Sequence, residues 1–466
     1  MDPATRIEHD TLGEMEVPAS ALYGSQTARA MRNFPISGWP MPEPFLRVLA
    51  RIKACFARAN CEVGLLAPDV SRAIADAADA VAAGGYPEQF PVDVFQTGSG
   101  TSTNMNMNEV LAHLANRALG GDPVGYRPIH PNDHVNLGQS SNDVIPAALR
   151  ITAAVAWRDM VRPRLDLVVG ELGRLAERHA ATVTLGRTHL MDAVPTTYGR
   201  IFGAWRERLS WAGARADASA TGLLSLPLGG TAVGTGLSCR PEAARRVVEL
   251  LAADTGLPLA LADNAATGIA AQEEPIAFAD ALAQIARATL AIANDLRLRA
   301  SGPFGGLAEV VLPAVQPGSS IMPGKVNPVI PEAVVQAAIQ IEGLASACRA
   351  TVWLHQLELS HANPLLAWNL DTMARLLTGA LLTLAERSLS GLEIDHKRAR
   401  RLAEASPALA TALASRIGYE RAAAVAQEAR ASGEGVRATA LRLGVLATDE
   451  VDAVLDVSIL AGVKKT

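Results

Sequence analysis

Residues 318–328, GSSIMPGKVNP, gather in one short segment the groups that hold an anion and take a proton beside it. Glycines and prolines break both helix and strand here, and Pro323-Gly324 is a turn dipeptide. Backbone N–H groups of such a loop are free to face negative charge. Lys325 adds a cation and Asn327 further donors, while Ser319 and Ser320 set hydroxyls beside the anion. A nucleotide phosphate is excluded by spacing. Five residues separate Gly318 from Gly324-Lys325, and Val326 stands where Ser or Thr is required. No β-rich run leads into the loop either. A carboxylate is the simpler anion.

Three more polar clusters lie far apart in an Ala-rich, apolar chain: TGSGTSTNMNMNEV at 97–110, HPNDHVNLGQSSNDV at 130–144 and GRTHLMDAVPTTYG at 186–199. Ser, Thr and Asn are poor helix formers and good helix caps, so any one cluster reads as a cap beside a helical pattern. Four clusters rich in uncharged donors point to a shared polar pocket. Such donors bind a carboxylate without leaving an unpaired charge buried in the empty site.

Taking a proton from carbon next to a carboxylate builds a second negative charge on that carboxylate. The dianion needs preorganised donors around it and a base at the carbon. Lys325, Asn327 and loop N–H groups supply the first, and a loop serine the second. Serine is a weak base, so its alkoxide needs nearby positive charge and N–H dipoles. Spacing leaves Ser319 and Ser320 both open. His189 is suited to exchange a proton with a leaving group near neutral pH, and Thr188 beside it can bond a substrate oxygen. Pro331-Glu332 fits a helix start, where a glutamate also stabilises the helix dipole. His130 and His134 have i, i+4 spacing, but Pro131 and the missing third ligand argue against a metal.

The GSSIMPGKVNP loop resembles the signature loop of the aspartase/fumarase superfamily, and the other clusters are similar to its remaining active-site regions, in the same order. The resemblance runs from RIEHDTLGEMEVP at 6–18 to IGYERAAAVAQEA at 417–429 and is strongest to class II fumarases, with aspartases second. It implies Ser319 as catalytic base, Lys325 and Asn327 as carboxylate ligands, and His189 acting on the leaving group, oriented by a Glu332 from another subunit. It implies Thr101, Ser140, Ser141, Asn142 and Thr188 as substrate ligands, and a second anion site at Arg127, His130, Asn132 and Asp133. The implied reaction interconverts L-malate with fumarate and water, by anti elimination through an aci-carboxylate carbanion, with no metal or organic cofactor. Ser140-Ser141-Asn142 and Gly229-Gly230-Thr231-Ala232-Val233 look fumarase-like, whereas Thr101-Ser102-Thr103-Asn104 and residues 326–332 look aspartase-like. Ammonia release from L-aspartate, or a lyase for another substituted succinate, is therefore the alternative. Phe304 in SGPFGG and Ser360 in LHQLELSHANP depart from both patterns, which usually have Arg and Asn there.

Helices must carry these segments. The 466-residue chain is 49% hydrophobic but only 4% aromatic, which favours closely packed helices over a β-sandwich. Phe278, Leu282, Ile285, Ile292 and Leu296 step along one seam. Leu165, Val168, Leu172 and Leu175 form another, beyond a kink expected at Pro163. Alanines fill many off-seam positions, as in helices buried on several sides of a bundle that continues across subunits. The expected fold is all-α in three regions. They are a mainly helical 1–139, ending near the Gly138-Gln139 turn, a long-helix bundle 140–393, and a small helical 394–466 with breaks at Ser406-Pro407 and Ser432-Gly433. The resemblance implies a homotetramer whose sites are shared by three chains. A net charge of −5 and a pI near 6.0 give no basic footprint for nucleic acid, so a small anion must be drawn by the local site. A polar N-terminus and no uninterrupted apolar stretch of membrane length set the expectation of a cytoplasmic protein that does not engage a membrane. Cys55, Cys61, Cys239 and Cys348 show no paired metal spacing and read as buried thiols.

Overall fold

A computed structural model describes residues 5–463. Helices dominate and the strands are short two-stranded pairs, so the fold is all-α as expected. The chain forms two compact units. The first holds the described residues up to Pro163, with Ala214–Gln284 and Gln340–Leu377. The second holds Arg164–Gly213, Ile285–Ile339 and the described residues from Thr378.

In the first unit, helix Glu43–Glu62 packs against Pro68–Ala82 and Pro241–Thr255. Leu49, Ile52 and Phe56 recur at helical spacing and are wholly buried, and Ala50, Ala54 and Ala59 are buried beside them. Such small side chains let neighbouring backbones come close. Helices Thr101–Ala118 and Ser141–Ala156 start side by side. A Cβ on Gly100, which has φ +81°, would come within 2.9 Å of Ile145. That approach and the left-handed backbone both call for glycine.

In the second unit, residues 183–197 form an antiparallel hairpin, Val183–Thr188 paired with Met191–Thr197. By residue type the polar cluster at 186–199 reads as a cap beside a helical pattern. Val183 and Leu185 instead drive strand formation, because they insert into an apolar cluster with Leu409, Leu413, Val425, Val436 and Val451. The short helices Ala410–Ile417, Tyr419–Ser432 and Val436–Arg442 build that cluster. They break near the expected points: Ser406 caps Pro407–Leu409, and Gly433 (φ 72°) ends Tyr419–Ser432.

The Phe278–Leu296 and Leu165–Leu175 seams are buried. Pro163 does not break the chain's helical course. A π turn, Trp157–Val161, lies between Ser141–Ala156 and Arg162–Arg178, and the wider turn absorbs the proline. Helix Glu273–Arg299 is long and apolar enough to cross a membrane by length and composition, although Asp280 and Arg287 interrupt its apolar run, as the sequence shows. With 61% of its most apolar window buried, it has the pattern of a core helix. The thiol expectation also needs correction. Cys55 and Cys348 are buried, but Cys61 and Cys239 are partly exposed, one in a helix's last turn and the other in a loop.

Candidate active site

Residues 318–328 form an irregular loop leading into helix Val329–Ala350. Gly318 N–H donates to the Lys325 carbonyl at 2.8 Å, and Asn327 Nδ2 donates to the Gly318 carbonyl at 2.5 Å. A Cβ on Gly318 would lie 2.3 Å from that Lys325 oxygen, so only glycine lets the loop ends meet. Within the clamp, Ser319 Oγ accepts N–H bonds from Ile321 (3.2 Å) and Met322 (3.0 Å). Two dipoles aimed at one oxygen favour negative charge on it. Ser320 Oγ accepts no such bond among the described residues, which separates the two serines that spacing left open. The Lys325 side chain is exposed, and Asn327 keeps its second N–H and its carbonyl after bracing the loop.

Thr188 and His189 stand at the tip of the hairpin. His189 has φ 55° and Leu190 φ 61°, the left-handed pair of a two-residue turn. Glycine or asparagine relaxes such a turn; L-residues there cost about 1–2 kcal/mol each. The strained tip projects the imidazole outward, and both Thr188 and His189 are exposed. One buried carboxylate fixes the hairpin's base. Glu309 accepts from Arg187 Nη2 at 2.7 Å, Arg187 Nη1 at 3.2 Å, Tyr198 Oη at 2.7 Å and Thr184 Oγ1 at 3.2 Å. Arg299 Nη1 lies 3.6 Å away. Burial, reinforced by the Glu309 charge, raises the Tyr198 phenol pKa, so Tyr198 stays a donor. Glu332 is half-buried in the first turn of Val329–Ala350.

In the first unit the paired helix starts gather Thr101, Ser140, Ser141 and Asn142. Thr101 Oγ1 lies 2.9 Å from Ser99 Oγ. Ser140 is an N-cap: its Oγ accepts the Asn142 N–H at 3.2 Å, and Asp143 accepts the Ser140 N–H at 2.9 Å. Its own O–H remains free to donate. Ser141 Oγ accepts Asn104 Nδ2 at 3.1 Å, and Asn142 Nδ2 donates to the Ala232 carbonyl at 2.8 Å. Asp143 also accepts the N–H groups of Gly229 (3.1 Å) and Thr231 (3.0 Å), which pins the 229–233 segment to the helix start. Burial pushes the Asp143 carboxyl up to about 6, against these N–H donors and the Lys53 charge. Neutral donors at two helix N-termini, and a serine oxygen cradled by N–H groups, suit carboxylate binding and proton abstraction.

A lyase family model matches residues 13–343, and a fumarase C C-terminal model matches residues 409–462. The class II fumarate hydratase of Xylella fastidiosa is 47% identical, covering 91% of this chain and 88% of that one. The chain belongs to the class II fumarase family. The solved class II fumarase of Schistosoma mansoni has the same fold, with a TM-score of 0.95 at 33% identity over 98% of this chain and 99% of that one. A fumarate lyase:delta crystallin of Brucella melitensis gives 0.93 at 40% identity, covering 98% and 100%.

Within this fumarase-family chain, the residues expected to form a second anion site are close together. His130 Nδ1 accepts the N–H groups of Asn132 and Asp133, both at 3.3 Å, and His134 Nδ1 accepts the His130 N–H at 3.0 Å. In the neutral rings the protons therefore sit on Nε2, so both imidazoles are donors. Exposed Arg127 adds a cation, while an Asp133 oxygen 3.4 Å from His130 Nδ1 adds opposing charge. Phe304 is 95% exposed, on a loop braced by Arg398 bonds of 2.6 Å to the carbonyls of Gly306 and Leu307. Ser360 is buried in the short strand Leu359–Ser360, so that departure is an interior one.

Sequence reasoning missed Lys53, Asn108, Asn136 and Asp143 behind Ser140–Asn142, and Arg187 and Glu309 behind His189. Lys53 had left a signal: it falls on the apolar face between Leu49 and Phe56, where an unpaired lysine has no packing reason to be. Glu309 had none, because its partners are remote in sequence.

Proposed function

We propose that this chain interconverts L-malate and fumarate plus water. The observation that carries the reading is Ser319 Oγ held by two backbone N–H groups inside the clamped loop. As alkoxide, Ser319 takes a proton from the carbon beside one substrate carboxylate. The electron pair moves into that carboxylate, where Lys325, Asn327 and loop N–H groups meet the added charge. The pair then returns to form the carbon–carbon double bond as hydroxide leaves the next carbon. His189, oriented by Glu332, supplies the proton that makes the leaving group water. Thr101, Ser140–Asn142 and Thr188 hold the substrate oxygens.

The active unit in this proposal is a homotetramer whose sites combine segments of three chains. Apolar side chains left bare beside the reactive groups support it: Leu190 is 79% exposed, Met191 69% and Ile321 83%. Such side chains ask for cover by another subunit. Purified protein given L-malate or L-aspartate in separate cuvettes tests the chemistry through the ultraviolet absorbance of fumarate. Signal from malate alone is expected; signal from aspartate alone overturns the choice of leaving group. Light scattering on the same sample tests the tetramer.

A further inference from the structure

Lys53 is wholly buried and makes no ion pair among the described residues. Its Nζ donates to Asn136 Oδ1 at 2.9 Å. The same oxygen accepts from Asn104 Nδ2 and Asn108 Nδ2, each at 3.2 Å. Asn104 Nδ2 also donates to Ser141 Oγ at 3.1 Å. That bond occupies an acceptor site on Ser141 and leaves its O–H free to donate. A buried ammonium with a single amide partner is costly, and methionine would fill the same space without that penalty. The group suits a role that needs charge.

The donors at Thr101 and Ser140–Asn142 are all neutral, whereas a dicarboxylate brings two charges. Lys325 meets one of them. We propose that Lys53 is a positioning residue for the other carboxylate: through Asn136 and Asn104 it orients the Ser141 hydroxyl, and its buried charge offsets the anion held at the start of helix Ser141–Ala156. This inference rests on the function proposed above. In a poorly screened interior, a unit charge three hydrogen bonds behind the binding atom changes anion affinity by about tenfold.

The role is visible in pH dependence. Burial holds the Lys53 ammonium down to about 7, opposed by the charge of Asp143. Asp143 is the charged group acting on it; its hydrogen-bond partner Asn136 is a neutral amide, as are Asn104 and Asn108 on the same oxygen. Lys53 is therefore a cation below neutral pH and loses its proton as pH rises through about 7. The affinity it confers is lost over the same interval.

The test measures KM and kcat for L-malate from about pH 6 to 9 on the tetrameric wild type, Lys53→Met and Asn136→Asp. Wild-type turnover of malate checks the underlying function on its own; its absence sinks that reading and this one together. With turnover present, Lys53→Met is expected to raise KM about tenfold at pH 6 while kcat changes less than about threefold. Its KM should then be flat with pH, whereas the wild-type KM climbs toward it above neutrality. Lys53→Met removes that ammonium and, with it, its pull on the Asp143 carboxyl, so the difference between profiles reports the Lys53 charge. Asn136→Asp sets a carboxylate against Lys53 without removing it, so it should raise KM even if Lys53→Met fails to fold. A wild-type KM and pH profile in Lys53→Met, or in Asn136→Asp where Lys53→Met does not fold, overturns the proposal. A lowered melting temperature with unchanged KM also overturns it, since that marks a purely structural lysine.

Discussion

Removing the Glu309 carboxylate should unfasten the hairpin that carries His189. Glu309 has no exposed side-chain surface, and the Arg187 and Arg299 side chains beside it are only 12% and 15% exposed. Glu309→Ala leaves both guanidiniums facing one another without a counter-charge. It also takes the acceptor from Tyr198 Oη and Thr184 Oγ1. Deleting one partner of a buried ion pair costs about 3–5 kcal/mol. Each hydroxyl left without an acceptor adds about 1 kcal/mol. These terms share atoms and do not add, so a loss of about 4 kcal/mol is expected, a large part of a typical stability of about 5–15 kcal/mol. Urea unfolding followed by tryptophan fluorescence measures it, with buried Trp205 on the adjoining helix as one reporter. The paired variant Arg187→Ala/Glu309→Ala should cost less than the two single losses combined, because removing both partners strands fewer charges. Glu309→Ala within about 1 kcal/mol of wild type, or strict additivity with Arg187→Ala, would refute the assignment of this carboxylate as the anchor.

Four further outcomes are expected. Ser319→Ala should abolish fumarate formation and shift stability by less than about 0.5 kcal/mol, since the hydroxyl serves a surface loop; Ser320→Ala should keep turnover. Gly318→Ala should also remove turnover while circular dichroism stays unchanged, because the added Cβ, 2.3 Å from the Lys325 carbonyl, pushes the clamp open with Ser319 still present. Ser140→Ala should cost about 1 kcal/mol in thermal unfolding through loss of the N-cap, with a raised KM for malate. His189→Asn should lower kcat more than substrate affinity, read from steady-state kinetics; an unchanged kcat removes it from the leaving-group step.

Local chemistry explains what could be read in advance. Residues 318–328 are punctuated by Gly and Pro, so their irregular course and their donors follow from residue type alone. The Phe278–Leu296 seam likewise declares itself, because helical spacing of apolar side chains implies a buried stripe wherever it packs. Ser140 was legible as a cap for the same reason, and it is one. The hairpin at 183–197 was not legible. Its polar residues resemble a helix boundary, and its strands exist because Val183 and Leu185 find a cluster built by residues more than two hundred positions later.

The residue types and their order in the chain determined the all-α class, the irregular course of the 318–328 loop and which neutral side chains are candidates to hold a carboxylate. Tertiary structure decided which serine receives the N–H bonds, that His189 rides a strained hairpin tip, and that Glu309 and the Lys53–Asn136–Asn104 network stand behind the reactive groups. The division has a physical cause. Backbone preference and amphipathic spacing act over a few residues and are written locally. A buried charge is tolerable only where partners from distant segments converge on it, and that convergence exists only in the folded chain.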